Sequence, residues 1–293
     1  MGETSTTSIQ EELVAGSTDY VRFIILAQAR TGSTMLVHAL RSNPHIRCFG
    51  EVLNKAVPFV AFGVDGYDNS SAGDRALRDG DFRAFLRERI YCRHPEEIRA
   101  AGFKLLYGQF WDFRGLVEHL VEDTEIRVLY LQRRNILRIL LSLKMAQTTG
   151  VWVKVGGSRL TLANLRKASR HPQRAAARLP GLLRRAMHRR KAPRVRVTIT
   201  KDELFKFIIK EKLTADRLDD RFREHPKLTV YYEDVISRRR TTLDQVQAFI
   251  GVEARRLDIT TRQQNPEPLR QLLANYDELY EAFKDTPHAA FFD

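Results

Sequence analysis

The stretch VRFIILAQARTGSTML, Val21 to Leu36, limits what this chain can fold into more than any other. Its first half is an unbroken apolar run of strand length, which suits a parallel strand buried on both faces. It passes through Arg30-Thr31-Gly32-Ser33-Thr34 into helical spacing (Met35, Leu36, Ala39, Leu40) that stops at Asn43-Pro44. Gly32 permits a tight turn, and the amides after it open a helix whose unpaired N–H groups and dipole form a natural anion site. Arg30 supplies a guanidinium fork where a G-x-x-x-x-G-K-[ST] loop would place lysine, and Thr31, Ser33 and Thr34 add hydroxyls. A strand–turn–helix with one glycine is weak evidence by itself, so the rest of the chain has to carry the reading.

HIRCFG, GFKLLYG, IRVLYLQR and KLTVYYED are further β-rich apolar runs, separated by helix-like segments such as DFRAFLRERI, RGLVEHLV and TLDQVQAFIGV. This alternation predicts an α/β, P-loop-like, three-layer fold with a mostly parallel central sheet flanked by helices. In a right-handed β-α-β unit the carboxyl ends of the two strands lie side by side. Glu51, directly after HIRCFG, is therefore expected beside the phosphate loop, at the edge where such sheets bind ligands. A carboxylate there either accepts a proton or is a solvated loop residue, and position alone leaves both open. Another strand ends in Arg133-Arg134-Asn135. Arg134 and Ser142, eight residues on, are spaced to grip one more phosphate, whereas Arg138 reads as a helix-flanking surface charge and Arg133 is undecided.

The net charge of +13 is concentrated in one place. From Ile126 to Lys201 there are 20 Lys and Arg and no Asp or Glu, which leaves 29 basic against 36 acidic residues elsewhere. The positive field belongs to one segment, read as a basic helical insertion at about 155–210 in a single domain spanning 21–293, with residues 1–20 an N-terminal extension. Within it, GLLRRAMHRR sets Leu182, Leu183 and Met187 among arginines, as a helix lying on an anionic membrane surface would, though a solvated basic lobe has the same composition. The segment lacks the interleaved aromatics of a nucleic-acid binder. No eighteen-residue apolar run spans a bilayer and no signal peptide is legible, so a cytoplasmic protein, peripheral to the membrane at most, is expected. Gly2 with Ser5 and Thr6 comes close to a myristoylation pattern. Cys48 and Cys92 read as ordinary thiols, and no D-x-D, H-E-x-x-H or Cys/His cluster offers a metal site.

Together, Gln28 to Thr34 and Arg134-Asn135-Ile136 through Ser142 resemble the two nucleotide-binding segments of sulfotransferases that use 3′-phosphoadenosine 5′-phosphosulfate (PAPS). Ile136 in place of the usual proline, and Arg138 in place of a common acidic residue, are similar to the bacterial nodulation-type carbohydrate sulfotransferases, which also read R-R-N. FGEVLN resembles that subgroup's G-E-L-L-N segment, and the resemblance implies Glu51 as general base. GFKLLYGQF resembles a family stretch that implies Lys104 near the site. TTRQQNPEPLRQLLANYDELYEAF resembles the C-terminal segment of bacterial members, implying Arg262 as a second 3′-phosphate ligand, and VYYEDVI a late strand in which Glu233 and Asp234 are structural.

The resemblance covers about residues 20–155 and 225–285. It implies in-line sulfuryl transfer from PAPS to an acceptor hydroxyl on a carbohydrate or glycolipid, without metal. Glu51, Arg30 and Lys104 would be catalytic, and Arg30, Thr31, Gly32, Ser33, Thr34, Arg134, Ser142 and Arg262 would hold the donor. A sulfuryl group carries less charge than a γ-phosphoryl group, so amides and Arg30 can replace the lysine and magnesium of a nucleotide triphosphatase. His38 and His45 are weaker base candidates, His38 reading as a packing residue. Two rivals are a P-loop kinase-like phosphotransferase and a non-catalytic anion- or nucleic-acid-binding protein. The missing G-K-[ST] counts against the first, and the absence of a legible binding module against the second.

Overall fold

The computed structural model of the protein describes residues 16–55, 71–149, 195–259, 261 and 263–293. Residues 1–15 and 150–194, which hold most of the N-terminal extension and of the basic insertion, lie outside the described residues, as does Arg262. By compactness the chain divides into two units, one of residues 1–139 and 206–259, the other of residues 140–205 and 260–293.

The first unit is an α/β sheet protein. The strands are β1 (Val21–Ala27), β2 (Ile46–Phe49), β3 (Ala100–Leu106), β4 (Arg127–Gln132) and β5 (Lys227–Tyr231), each at an apolar run noted above. They form one sheet in the order β2-β3-β1-β4-β5, with every pairing parallel. Alternation of side chains along each strand divides the core into two layers. Ile24, Leu26, Phe103, Leu105 and Val128 pack on one face with Phe82, Phe85, Leu116, Leu120, Leu218 and Phe222. Phe23, Ile25, Leu129 and Leu131 pack on the other with Leu36, Val37, Leu40, Leu243 and Val246. The strands are buried on both sides, which is why their sequences run apolar without alternation. At Gly102 an added Cβ would stand 2.2 Å from the carbonyl oxygen of Phe23, so only glycine lets β3 close on β1 there.

Helices are numbered along the chain: α1 (Ser33–Arg41), α2 (Ala72–Gly80), α3 (Phe82–Phe85, continuing as a wide π turn over Leu86–Ile90), α4 (Leu116–Glu122) and α5 (Ile136–Thr149). Then come α6 (Lys201–Arg221), α7 (Tyr232–Ser237), α8 (Arg239–Phe249), α9 (Leu269–Leu272) and α10 (Tyr276–Phe283). Leu273–Asn275 separate α9 from α10. Among the described residues no helix is long and apolar enough to cross a membrane.

In the second unit, Val197 pairs with Leu273 in a single parallel bridge, and the Asn275 side chain closes on both the amide and the carbonyl of Ile199. Lys144 donates to the Thr198 carbonyl and to Glu203, each at 2.7 Å.

Candidate active site

One expectation about the sheet needs correcting. β2 does not lie beside β1, because β3 is inserted between them. Glu51 is nevertheless joined to the loop, through a residue of the intervening strand. Lys104 sits in register with Ile25 of β1, and its strand parity points it to the α1 face of the sheet. Its ammonium meets Glu51 Oε1 at 2.6 Å and donates to Thr34 Oγ1 at 3.1 Å. Lys104 is only 3% exposed, so this is a buried ion pair fastened to the phosphate loop.

The other carboxylate oxygen of Glu51 accepts from Asn54 Nδ2 at 2.7 Å and from Gln109 Nε2 at 3.2 Å. Gln109 is itself fixed, its Oε1 accepting from the Leu106 amide. Buried Arg78 reaches in from α2, forking onto Asp79 and donating to the Asn54 carbonyl at 2.8 Å. Glu51 therefore accepts from three donors, one on Oε1 and two on the other oxygen. Asn54, Gln109 and Arg78 had no place in the sequence reading. Asn54 and Gln109 stood inside the segments FGEVLN and GFKLLYGQF, but nothing in the alternation of residues separates an amide aimed at Glu51 from one aimed at water.

The loop itself has the form its sequence predicts. Gly32 is left-handed at φ 88° and serves as the N-cap of α1 without any side-chain cap, and the first turn carries no acidic residue. A Cβ on Gly32 would come within 2.6 Å of the Tyr232 ring, so that aromatic lies directly against the turn. Arg30 is also left-handed, at φ 72°, and is the one non-glycine residue so placed among the described residues. Holding a non-glycine residue there costs on the order of 1–3 kcal/mol, which the surroundings must offset. Thr31 Oγ1 donates back to the Gln28 carbonyl at 2.7 Å, and the Gln28 side chain bridges the Ala29 amide and the buried carboxylate of Glu211 from α6. Burial pushes Glu211 above the usual carboxylate range, with the hydrogen bond from Gln28 opposing. Helix α6 had not been expected as a separate element, so Glu211 was missed.

On the other flank stand the tandem arginines. Arg133 donates to the Arg30 carbonyl at 3.2 Å and lies over the Tyr232 ring at 4.5 Å. Its Nε is buried without a hydrogen-bond partner. Arg134 turns the other way: both its Nη atoms meet Asp234, at 2.9 and 3.0 Å, and its guanidinium stacks on Tyr231 at 3.8 Å. The hydrogen bond from Arg134 holds the Asp234 carboxyl well below its usual range, at about 2. The carboxylate of Glu233 accepts from the backbone amides of Arg134 and Asn135 at the start of α5. Glu233 and Asp234 are therefore structural partners of this strand end.

Ser142 belongs to the second unit, where it is 8% exposed and accepts from Asn265 Nδ2 at 3.5 Å. His38 lies in α1 and is held below its ordinary pKa by burial, then by the charges of Arg41 and Lys104, while a ring nitrogen of His45 meets the Glu97 carbonyl at 2.7 Å.

At its carboxyl edge the parallel sheet thus carries a glycine turn without a side-chain cap and a lysine-bound carboxylate. Among individual relatives, the chain is 27% identical over 276 residues to nodulation protein H of Rhizobium tropici, an alignment that covers 92% of each chain. A solved sulfotransferase from Alicyclobacillus acidocaldarius aligns with 92% of this chain and 93% of its own, at 15% identity and a TM-score of 0.46. No protein-family model matches the chain.

Proposed function

We propose that the protein transfers the sulfuryl group of PAPS in line to a hydroxyl of a carbohydrate or glycolipid acceptor, with Glu51 as general base. The observation that carries this reading is the contact Glu51–Lys104–Thr34, in which a single buried ammonium ties the proton acceptor to the anion-binding turn. The acceptor oxygen attacks sulfur as its proton passes to Glu51. The bond from sulfur to the bridging oxygen breaks, and adenosine 3′,5′-bisphosphate leaves. Charge growing on the transferred and bridging oxygens is met by the amides of Thr31 to Thr34, by Arg30 and by Lys104, donors already oriented before the reaction.

The residues on the loop side suit such a donor: an uncapped helix N-terminus, hydroxyls and two half-buried arginines, with no acidic residue in the first turn of α1. On the 3′ side, Arg134 would have to exchange Asp234 for phosphate, and Ser142 and Arg262 are assigned there from the sequence resemblance. The acceptor class rests on the relationship to nodulation protein H. Association of the basic segment with an anionic membrane surface belongs to this proposal as well, resting on the sequence of residues 155–210.

Glu51→Gln keeps two hydrogen-bonding atoms and removes the base. Turnover with PAPS and extracted glycolipids should fall by about 10²–10³-fold, the scale at which one positioned catalytic group acts. Adenosine 3′,5′-bisphosphate should still raise the melting temperature of the variant, and ATP with magnesium should not. Near wild-type turnover in a variant that binds donor normally would remove Glu51 from the mechanism.

A further inference from the structure

Arg133 was left undecided by its sequence, and Arg134 was the one assigned to phosphate. Their environments reverse that emphasis. Arg133 is half-buried, with its Nε shielded from water, and no carboxylate pairs with it among the described residues. Its contacts are one backbone carbonyl and one aromatic face. Burial depresses its pKa, Tyr232 and Glu233 partly restore it, and Arg138 depresses it further. A buried guanidinium N–H without an acceptor is costly unless a ligand supplies one, and an anion does so best. The carbonyl it holds belongs to Arg30, the left-handed residue of the turn, so the guanidinium stands at the open N-terminus of α1.

We infer that Arg133 is a second cationic ligand of the anion in this turn, contacting the phosphate that sits at the N-terminus of α1. This rests on the nucleotide-donor reading above and adds a residue and an end of the nucleotide to it. A phosphate there completes the guanidinium's hydrogen bonds and offsets its repulsion with Arg30.

Binding of 5′-AMP and of adenosine 3′,5′-bisphosphate should be measured by calorimetry for the wild type, Arg133→Gln and Arg133→Lys, with melting temperatures recorded for each. Glutamine can still donate to the Arg30 carbonyl but carries no charge; lysine keeps the charge. If Arg133 touches the phosphate, Arg133→Gln weakens both nucleotides at least tenfold and by similar factors, and Arg133→Lys loses clearly less. Equal losses for Gln and Lys, or Gln binding within twofold of wild type, would mean that Arg133 only props the turn. A loss confined to the bisphosphate would move Arg133 to the other phosphate and overturn the inference. A wild-type protein that binds neither nucleotide refutes the donor reading itself, a result visible before any variant is made.

Discussion

Two helices begin at the carboxyl edge of the same sheet, and they are finished in opposite ways. At the start of α1 the N-cap is a glycine without a side chain, no acid occupies the first turn, and Arg30 and Arg133 stand close by. At the start of α5 the Glu233 carboxylate bridges two backbone amides, Asn135 Oδ1 accepts from the Arg138 amide at 2.9 Å, and Asp234 takes the whole fork of Arg134. Both helix ends attract negative charge through the same amides and dipole. The second end is answered by the protein's own carboxylates; among the described residues no side chain caps the first. The contrast supports the proposed donor site more sharply than the loop motif alone, since an uncapped helix terminus gains meaning only beside one that is filled.

That contrast can be broken deliberately. The largest effect is expected from Thr34→Asp, which gives α1 the acid it lacks. Like charge in a partly buried site should weaken adenosine 3′,5′-bisphosphate by about 100-fold or more, an order set by Coulomb repulsion at intermediate dielectric. The melting temperature should hold or rise, because an acid in the first turn favours the helix by about 0.3–1 kcal/mol. Calorimetry and a thermal melt on one sample test both halves, and unchanged nucleotide affinity would mean that α1 is not the anion site.

Glu233→Ala does the converse and strips α5 of its cap. Loss of such a side chain typically costs about 1 kcal/mol, or a fall of roughly 2–4 °C for a protein of this size. A differential scanning melt that does not move would show that Asn135 caps the helix sufficiently alone.

The smallest effect belongs to Asp234→Asn. Arg134 lowers the folded-state pKa of Asp234 from 3.8 to about 2, so its contribution to stability is present above pH 3.8 and is lost as the pH falls through 2. Urea melts at pH 5 and pH 2.5 should therefore show a slightly larger acid loss for the wild type than for the variant. The pair is exposed to solvent, so the difference is modest. Identical losses would leave the Arg134–Asp234 contact without a role in folding.

Much of this could be read along the chain. The apolar runs at Val21, Ile46, Ala100, Arg127 and Lys227 gave the five strands, because strands covered on both faces have no polar side to alternate with. Glycine at 32, followed by hydroxyls and no acid, marked the open helix end, since those properties are local to the turn. Glu51 and Lys104 entered through likeness to a family, and their mutual contact was hidden, because they lie on different strands and neither spacing reports on the other.

The sequence by itself determined the strand–turn–helix, the alternation that forces a parallel sheet, and the reservoir of positive charge, all consequences of residue order over short distances. Only the tertiary structure decided that β3 separates β2 from β1, that Lys104 thereby bridges Glu51 to Thr34, and that of two adjacent arginines one faces the turn and the other an aspartate a hundred residues away. Neighbours in a strand point to opposite sides, so their partners are chosen by whichever distant segments the sheet order brings alongside.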